Sequence, residues 1–457
     1  MKRDRKSKPD MLTKAPGKTL FFFAMPMILG NLFQQFYNMA DSVIVGRFVG
    51  EDALAAVGAS YALTTVFVMI AIGGGTGSSV VTSQYLGAGK YREMKTSVYT
   101  ALLAFLGVSL LLAGFGFLAS GKILQLLKTP DNILEMSALY LKIYFTGLPF
   151  LFMYNVLAAM FNAMGDSRTP LYLLIFSSVT NVVLDLLFVT RFDMGVAGVA
   201  IATVMAQGVS AVISFCLLLC RLKGFAEPEG SVFAKSSVFD RRMLARMIQV
   251  AIPTMLQQSI VSIGLLLVQS VVNGFGSSVL AGYTAGTRIE SICIVPMIAM
   301  GNAVSTFTAQ NMGAGNAQRV KRGYHAAYKI VAAFAVMICI TLLLWKKQII
   351  GIFMEGEENM LAFETGVSYL SFIAFFFFMI GAKAITDGVL RGSGDVLVFT
   401  IANLVNLTIR VTFANLMAPL LGVAAVWYAV PIGWTANWLI SFARYLSGKW
   451  KEKNLIH

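Results

Sequence analysis

Histidine and cysteine are scarce in this chain. There are two histidines, His325 and His457, and four cysteines, Cys216, Cys220, Cys293 and Cys339. So little histidine argues against a zinc centre or any other His-based metal site. All four cysteines fall inside apolar runs, which argues against a disulfide framework. One internal histidine beside Lys321 and Arg322 assembles no catalytic constellation, so the chain is not expected to be an enzyme. Gly73-Gly74-Gly75-Thr76-Gly77 lacks the Gly-Lys-Ser/Thr ending of a phosphate loop and lies in an apolar stretch. Close helix packing is the better reading of those glycines, and no cofactor is called for.

Charge is the other shortage. Only 13% of the 457 residues are charged, where a soluble domain carries roughly 25%. Instead, 57% are hydrophobic and the mean hydropathy is +0.74. A core cannot hide that excess, so lipid must solvate much of the chain. The apolar stretches run for 20 residues or so without period-2 alternation, which favours helices over a barrel. The expected fold class is an all-α polytopic membrane protein. Its twelve spans are 19–45, 53–83, 96–119, 133–164, 170–190, 195–220, 245–273, 279–311, 324–345, 362–390, 396–416 and 421–445.

The net charge of +14 reads as topology, because Lys and Arg sit in the gaps between spans and no basic face carries interleaved aromatics. Nucleic acid is not an expected partner; the bilayer is. Alternate gaps hold few basic residues: Arg47, Lys122, Lys128, Arg191, Lys346 and Lys347. The excess on the other side places both termini in the cytoplasm of a multi-pass plasma (inner) membrane protein. The expected organisation is a cytoplasmic N-terminus (1–18), a six-helix lobe (19–221), a cytoplasmic linker (222–243), a second six-helix lobe (244–446) and a cytoplasmic tail (447–457).

The two halves repeat. Gln84-Tyr-Leu-Gly-Ala-Gly89 matches Gln310-Asn-Met-Gly-Ala-Gly315, Pro26 matches Pro253, and Gly165-Asp166 matches Gly394-Asp395. Asn181 aligns with Asn406, and Gly195-Val-Ala with Gly422-Val-Ala. Six spans per half make both copies enter from one side, with a pseudo-two-fold axis along the membrane normal and a cavity between lobes.

Polar residues recur inside the spans. Asn31, Gln34, Gln35, Asn38, Asp41 and Ser42 share one face of the first, and Thr254, Gln258, Ser262 and Gln269 one face of the seventh. Such faces are expensive against lipid and should line a watery cavity, with Asn31, Gln34, Gln35, Asn38, Gln258, Ser262 and Gln269 as candidate substrate contacts. Asn181 and Asp185 lie four apart on the fifth span. Asp41 and Asp185 with an amide and a hydroxyl offer hard oxygen ligands, which suit a proton relay or an alkali cation and not a soft metal. In the second half Val268 stands where Asp41 is, and Arg410 where Asp185 is. Arg288, Glu290, Lys383, Asp387 and Arg410 form a further candidate charge network, in which Lys383 and Asp387 could neutralise each other. Pro26 removes a helical hydrogen bond and is a candidate kink.

These motifs resemble the multidrug and toxic compound extrusion (MATE) family. The carriers are Pro26 through Asp41-Ser-Val-Ile-Val-Gly46, Asp52-Ala-Leu-Ala-Ala-Val-Gly58, Gln84–Gly89, Asn162-Ala-Met-Gly-Asp166, Asn181-Val-Val-Leu-Asp185 and Gly301-Asn-Ala-Val-Ser305. The resemblance implies a V-shaped, two-lobe transporter with alternating access. It would export organic cations or amphipathic drugs by H⁺ or Na⁺ antiport and work as a monomer. The family's first-lobe ion site carries over to Asp41, Asn181, Asp185 and Thr203, with Tyr140 a further candidate near it. The alternative is a lipid-linked precursor flippase of the same superfamily, kept open by Arg288, Lys383 and Arg410.

Overall fold

A computed structural model describes residues 10–126, 129–225, 237–354, 359–453 and 455–456. Part of the 222–243 linker, the first nine residues, Lys128, Asn454 and His457 lie outside the described residues. Among those described there is no β-strand. Twelve long helical segments follow one another: α1 (Pro16–Val49), α2 (Glu51–Gly87), α3 (Tyr91–Leu126), α4 (Asp131–Ala163), α5 (Arg168–Arg191), α6 (Gly195–Lys223), α7 (Arg241–Asn273), α8 (Ser277–Gly313), α9 (Ala317–Gly351), α10 (Met360–Ser393), α11 (Val396–Leu421) and α12 (Ala424–Leu446). Ten contain a stretch long and apolar enough to cross a bilayer. That count is of the described residues; α7 holds side chains outside them, and α12 is made less apolar by Trp427, Tyr428, Pro431, Trp434, Asn437 and Trp438. Large side chains such as Leu111, Leu118, Leu126, Leu420 and Ile352 stand fully open on the outer faces. That exposure is what hydrocarbon rewards and water would not.

The chain forms two compact units. One is Leu29–Met255; the other is Leu256–His457 together with residues 10–28. The boundaries therefore fall inside α1 and α7, each two residues past an aligned helix proline, Pro26 or Pro253. A proline leaves the carbonyl one turn earlier without its donor. In the first unit α4 is the hub, packed against α2, α3 and α6. In the second, α10 takes the same role against α8, α9 and α12. Within that unit, residues 10–28 are tied down by Asn311 Nδ2 and Arg319 Nε donating to the Met11 carbonyl (3.3 and 3.1 Å), and by Arg319 donating to the Lys14 carbonyl. All five tryptophans, Trp345, Trp427, Trp434, Trp438 and Trp450, lie in the second unit.

The repeat is written into the turns. Gly50 and Gly276 have φ of 116° and 96°, Gly89 and Gly315 71° and 70°, Gly165 and Gly394 79° and 89°, Gly195 and Gly422 52° and 63°. Each pair joins corresponding helices with a left-handed residue that glycine adopts without steric penalty. The Gly-Asp pairs do one thing more. Asp166 accepts from the Arg168 and Thr169 backbone amides at the start of α5 and pairs with Arg221 of α6 at 3.2 Å. Asp395 pairs with Arg444 of α12 at 2.5 Å. In each half, then, an aspartate at the mouth of the fifth helix is clamped by an arginine near the end of the sixth.

The Gly73–Gly77 run lets backbones touch. A Cβ on Gly77 would sit 2.4 Å from Ala251 Cα, and one on Gly73 2.7 Å from Met255 Cα. Both meet the N-terminal half of α7 within the first unit. Gly77→Ala should therefore force α2 and α7 apart and destabilise the protein by about 1–3 kcal/mol. Gly114→Ala on α3, which meets nothing within 4 Å, should be neutral or slightly stabilising. Melting of the two variants in detergent, followed by size-exclusion fluorescence, checks the contrast; equal melting would refute the close packing.

Candidate functional site

Three helices of the first unit bring polar groups to one place. Asp41 comes from α1, Asn181 and Asp185 from one face of α5, and Thr203 from α6. Asp185 is fully buried and Asn181 nearly so, while Asp41 and Thr203 are half-buried. The carboxyl groups of Asp41 and Asp185 face one another closely enough to interact electrostatically. No donor among the described residues reaches Asp41 Oδ1 or either oxygen of Asp185. Two carboxylates so placed repel unless a proton or a cation lies between them.

Beside the carboxylates runs a chain of hydroxyls and an amide. Tyr37 Oη donates to Asn181 Oδ1 at 2.5 Å, Asn181 Nδ2 donates to Thr203 Oγ1 at 3.4 Å, and Thr203 Oγ1 donates to the Val199 carbonyl at 3.0 Å. Tyr140 of α4 faces the same two carboxylates and stacks on Tyr144 with 6.3 Å between rings. All donor atoms are hard oxygens, as the residue types predicted. Tyr37 was not among the residues singled out from sequence. It lies between Gln34 and Asn38 on the polar face of α1, and that neighbourhood was the signal available.

Both carboxylate helices end irregularly. Val45–Val49 after Asp41 and Leu187–Arg191 after Asp185 are π-turns. Such turns are rare and gather at functional sites. The corresponding ends of α7 and α11 are ordinary α-helix.

The remaining predicted residues are placed less tightly. Gln34, Gln35 and Asn38 are exposed on α1 and Asn31 is half-buried. On α7, Gln258 is half-buried and Gln269 exposed; the side chain of Ser262 lies outside the described residues. The five-residue charge network separates into parts. Lys383 pairs with Asp387 at 3.1 Å. Glu290 accepts from the Tyr369 hydroxyl. Arg410 packs with Asn406 against Gly433 and lies close enough to Glu290 and Tyr369 to interact with them electrostatically, while Arg288 is exposed with no ion pair among the described residues. The Gly165–Gly394 match makes Tyr369 the repeat counterpart of Tyr140. One tyrosine of the repeat thus faces the acidic pair, and the other is committed to Glu290.

The MatE family profile matches residues 26–187 and 253–416, one copy in each half. This chain belongs to the MATE family. It is a multi-pass membrane transporter, with small molecules as its cargo. The chain is 31% identical to the Bacillus subtilis protein named "Probable multidrug resistance protein YpnP" over 96% of both chains. It is 24% identical to the Shewanella oneidensis "FAD transporter" over 77% of this chain and 78% of that one. A crystallised outward-facing multidrug resistance MATE family transporter of the MOP superfamily superimposes with a TM-score of 0.88 at 22% identity, covering 98% of this chain and all of that one. At that identity the likeness speaks for the fold.

Within the MATE frame, the hydrogen bond from Tyr37 is the most directly testable contact. Tyr37→Phe should leave Asn181 Oδ1 without its donor and weaken ion binding about fivefold, for a hydrogen bond worth ~1 kcal/mol. The midpoint of Na⁺-dependent or pH-dependent stabilisation of the purified protein measures this. An unmoved midpoint would remove Tyr37 from the site.

Proposed function

We propose that this MATE-family protein exports organic cations or amphipathic drugs by antiport against H⁺ or Na⁺, through the Asp41/Asp185 site. The observation that carries the reading is the approach of two buried carboxylates that find no other donor. With a proton or Na⁺ between them the pair is compensated; without it the pair is an uncompensated charge in an apolar surround. The two states differ in electrostatic free energy by enough to bias a conformational equilibrium. Asn181, Thr203 and Tyr37 supply the remaining oxygens for either ion, and Tyr140 closes the apolar side.

Alternating access follows in two steps. From outside, the ion enters and relieves the repulsion within the pair, which favours the conformer that releases cargo. From inside, the ion leaves, the carboxylates regain charge, and a cationic cargo is attracted. The prolines at 26 and 253 supply weak points in the two helices that pass from one compact unit to the other. The protein works in this reading as a monomer in the plasma membrane with both termini in the cytoplasm. The Lys/Arg bias of the gaps supports that orientation, and the names of YpnP and other relatives support drugs as cargo. A second reading, an anionic aromatic cargo, is favoured by the FAD transporter relative alone.

Proteoliposomes test the proposal. With an inward H⁺ or Na⁺ gradient imposed one at a time, one of the two should drive efflux of a fluorescent organic cation. Asp41→Asn and Asp185→Asn should each lower the driven rate at least about tenfold, the effect of ~1.4 kcal/mol. Full driven transport in both variants would take the carboxylates out of the mechanism.

A further inference from the structure

The second half contains its own set of cation ligands, and they are already in use. Asp387 on α10 is 5% exposed, Asn403 on α11 2% and Ser441 on α12 0%. Ser441 Oγ donates to Asp387 Oδ1 at 2.6 Å, and Asn403 Nδ2 reaches Asp387 Oδ2 at 3.5 Å. Into this cluster comes the Lys383 ammonium, 3.1 Å from Asp387 Oδ2 and 3.1 Å from Asn403 Oδ1. Carboxylate, amide oxygen and hydroxyl are the donor types found around Asp185 in the first half, where Asn181 and Thr203 provide the amide and the hydroxyl. In the first half the carboxylates meet one another; in the second the carboxylate meets a covalently attached cation.

Helix electrostatics alone do not account for the pair. Lysine four residues before an acid is the weaker order for an i,i+4 pair. Asp387 also sits toward the C-terminal end of α10, where the helix dipole favours positive charge. What holds the ammonium is Asn403 Oδ1 from a second helix, together with Asp387 itself, whose other oxygen Ser441 fixes from a third. Lysine is suited to the position because its charge is compact and carries three donors.

We infer that Lys383 Nζ occupies, as a tethered surrogate, the position that an alkali cation would take between Asp387 and Asn403, so that the second half binds no coupling ion of its own. Coupling is then confined to the first half. The residue that sets this is Lys383, the cation in contact with Asp387; the buried Arg391 guanidinium one turn on gives its hydrogen bonds to Ser305 and Asn302. Removing the ammonium while keeping the apolar stem would leave Asp387 Oδ2 and Asn403 Oδ1 facing one gap, with Ser441 holding the other carboxylate oxygen, a set of hard oxygens suited to Na⁺.

The inference rests on the antiport reading for the word coupling, but its test does not need that reading. Full-length protein carrying Asp41→Asn and Asp185→Asn silences the first-half site. In that background, melting in NaCl and in choline chloride at equal ionic strength should coincide. Adding Lys383→Met should create a saturable Na⁺-specific rise in melting temperature, on the order of 3 °C or more. Further addition of Asp387→Asn should abolish it. A folded, monodisperse Lys383→Met protein that melts alike in both salts overturns the inference. Should Lys383→Met not survive extraction, equilibrium dialysis of the Lys383-intact background with radiolabelled Na⁺ decides. No Asp387-dependent binding is expected there, and near-stoichiometric binding that Asp387→Asn removes overturns the surrogate role. Drug transport by the first-half variants decides the antiport reading separately.

Discussion

A buried carboxylate whose nearest polar neighbour is another carboxylate is the constraint around which the first half is arranged. Hydrocarbon supplies neither a donor nor a counter-charge, so every polar group within it must be answered by protein, water or an ion. At several other buried polar groups the protein itself supplies the answer. Thr254 donates to the Val250 carbonyl, Asn403 Nδ2 to the Phe399 carbonyl, and the Thr82 hydroxyl meets that of Ser97. Asp41 and Asp185 are the place where α1 and α5 leave the requirement open. The π-turns that follow both residues show the backbone of the same two helices departing from regularity just beyond that place.

The duplication makes this openness informative. Turns, hub helices and the aspartate–arginine clamps at the ends of the sixth helices are shared by the two halves, so the architecture descends from one plan. Charge is not shared. Val268 and Arg410 stand where the acidic pair would be, Tyr369 is bonded to Glu290, and Asp387 is answered by Lys383. One half keeps a site that must exchange its compensation with the surroundings, and the other carries compensation within its own side chains. The two halves thus share a scaffold and differ in electrostatics.

Much of this was legible in the sequence because membrane helices announce themselves by length and composition. Ten of the twelve spans were readable to within five residues at either end, whereas α3 and α9 run five to seven residues past the apolar windows at both ends. The Asp41, Asn181 and Asp185 cluster was readable because spacing of four puts residues on one face and because charge in an apolar run is rare. Tyr37 was missed since an aromatic inside a membrane span carries no contrast. Asn403 and Ser441 were missed for a different reason: their partner lies on another helix, and pattern along one helix does not say which face meets which neighbour. The five-residue charge network resolves on the same ground into two pairs, Lys383 with Asp387 and Glu290 near Arg410, with Arg288 exposed.

The uneven distribution of indole rings has an optical consequence. Every tryptophan belongs to the second unit, while the acidic pair belongs to the first. Tryptophan emission from the native chain therefore arises from the second unit alone, whereas Tyr37 and Tyr140 are the intrinsic fluorophores beside the acidic pair. Selective excitation of the indoles reports on one unit with no label attached.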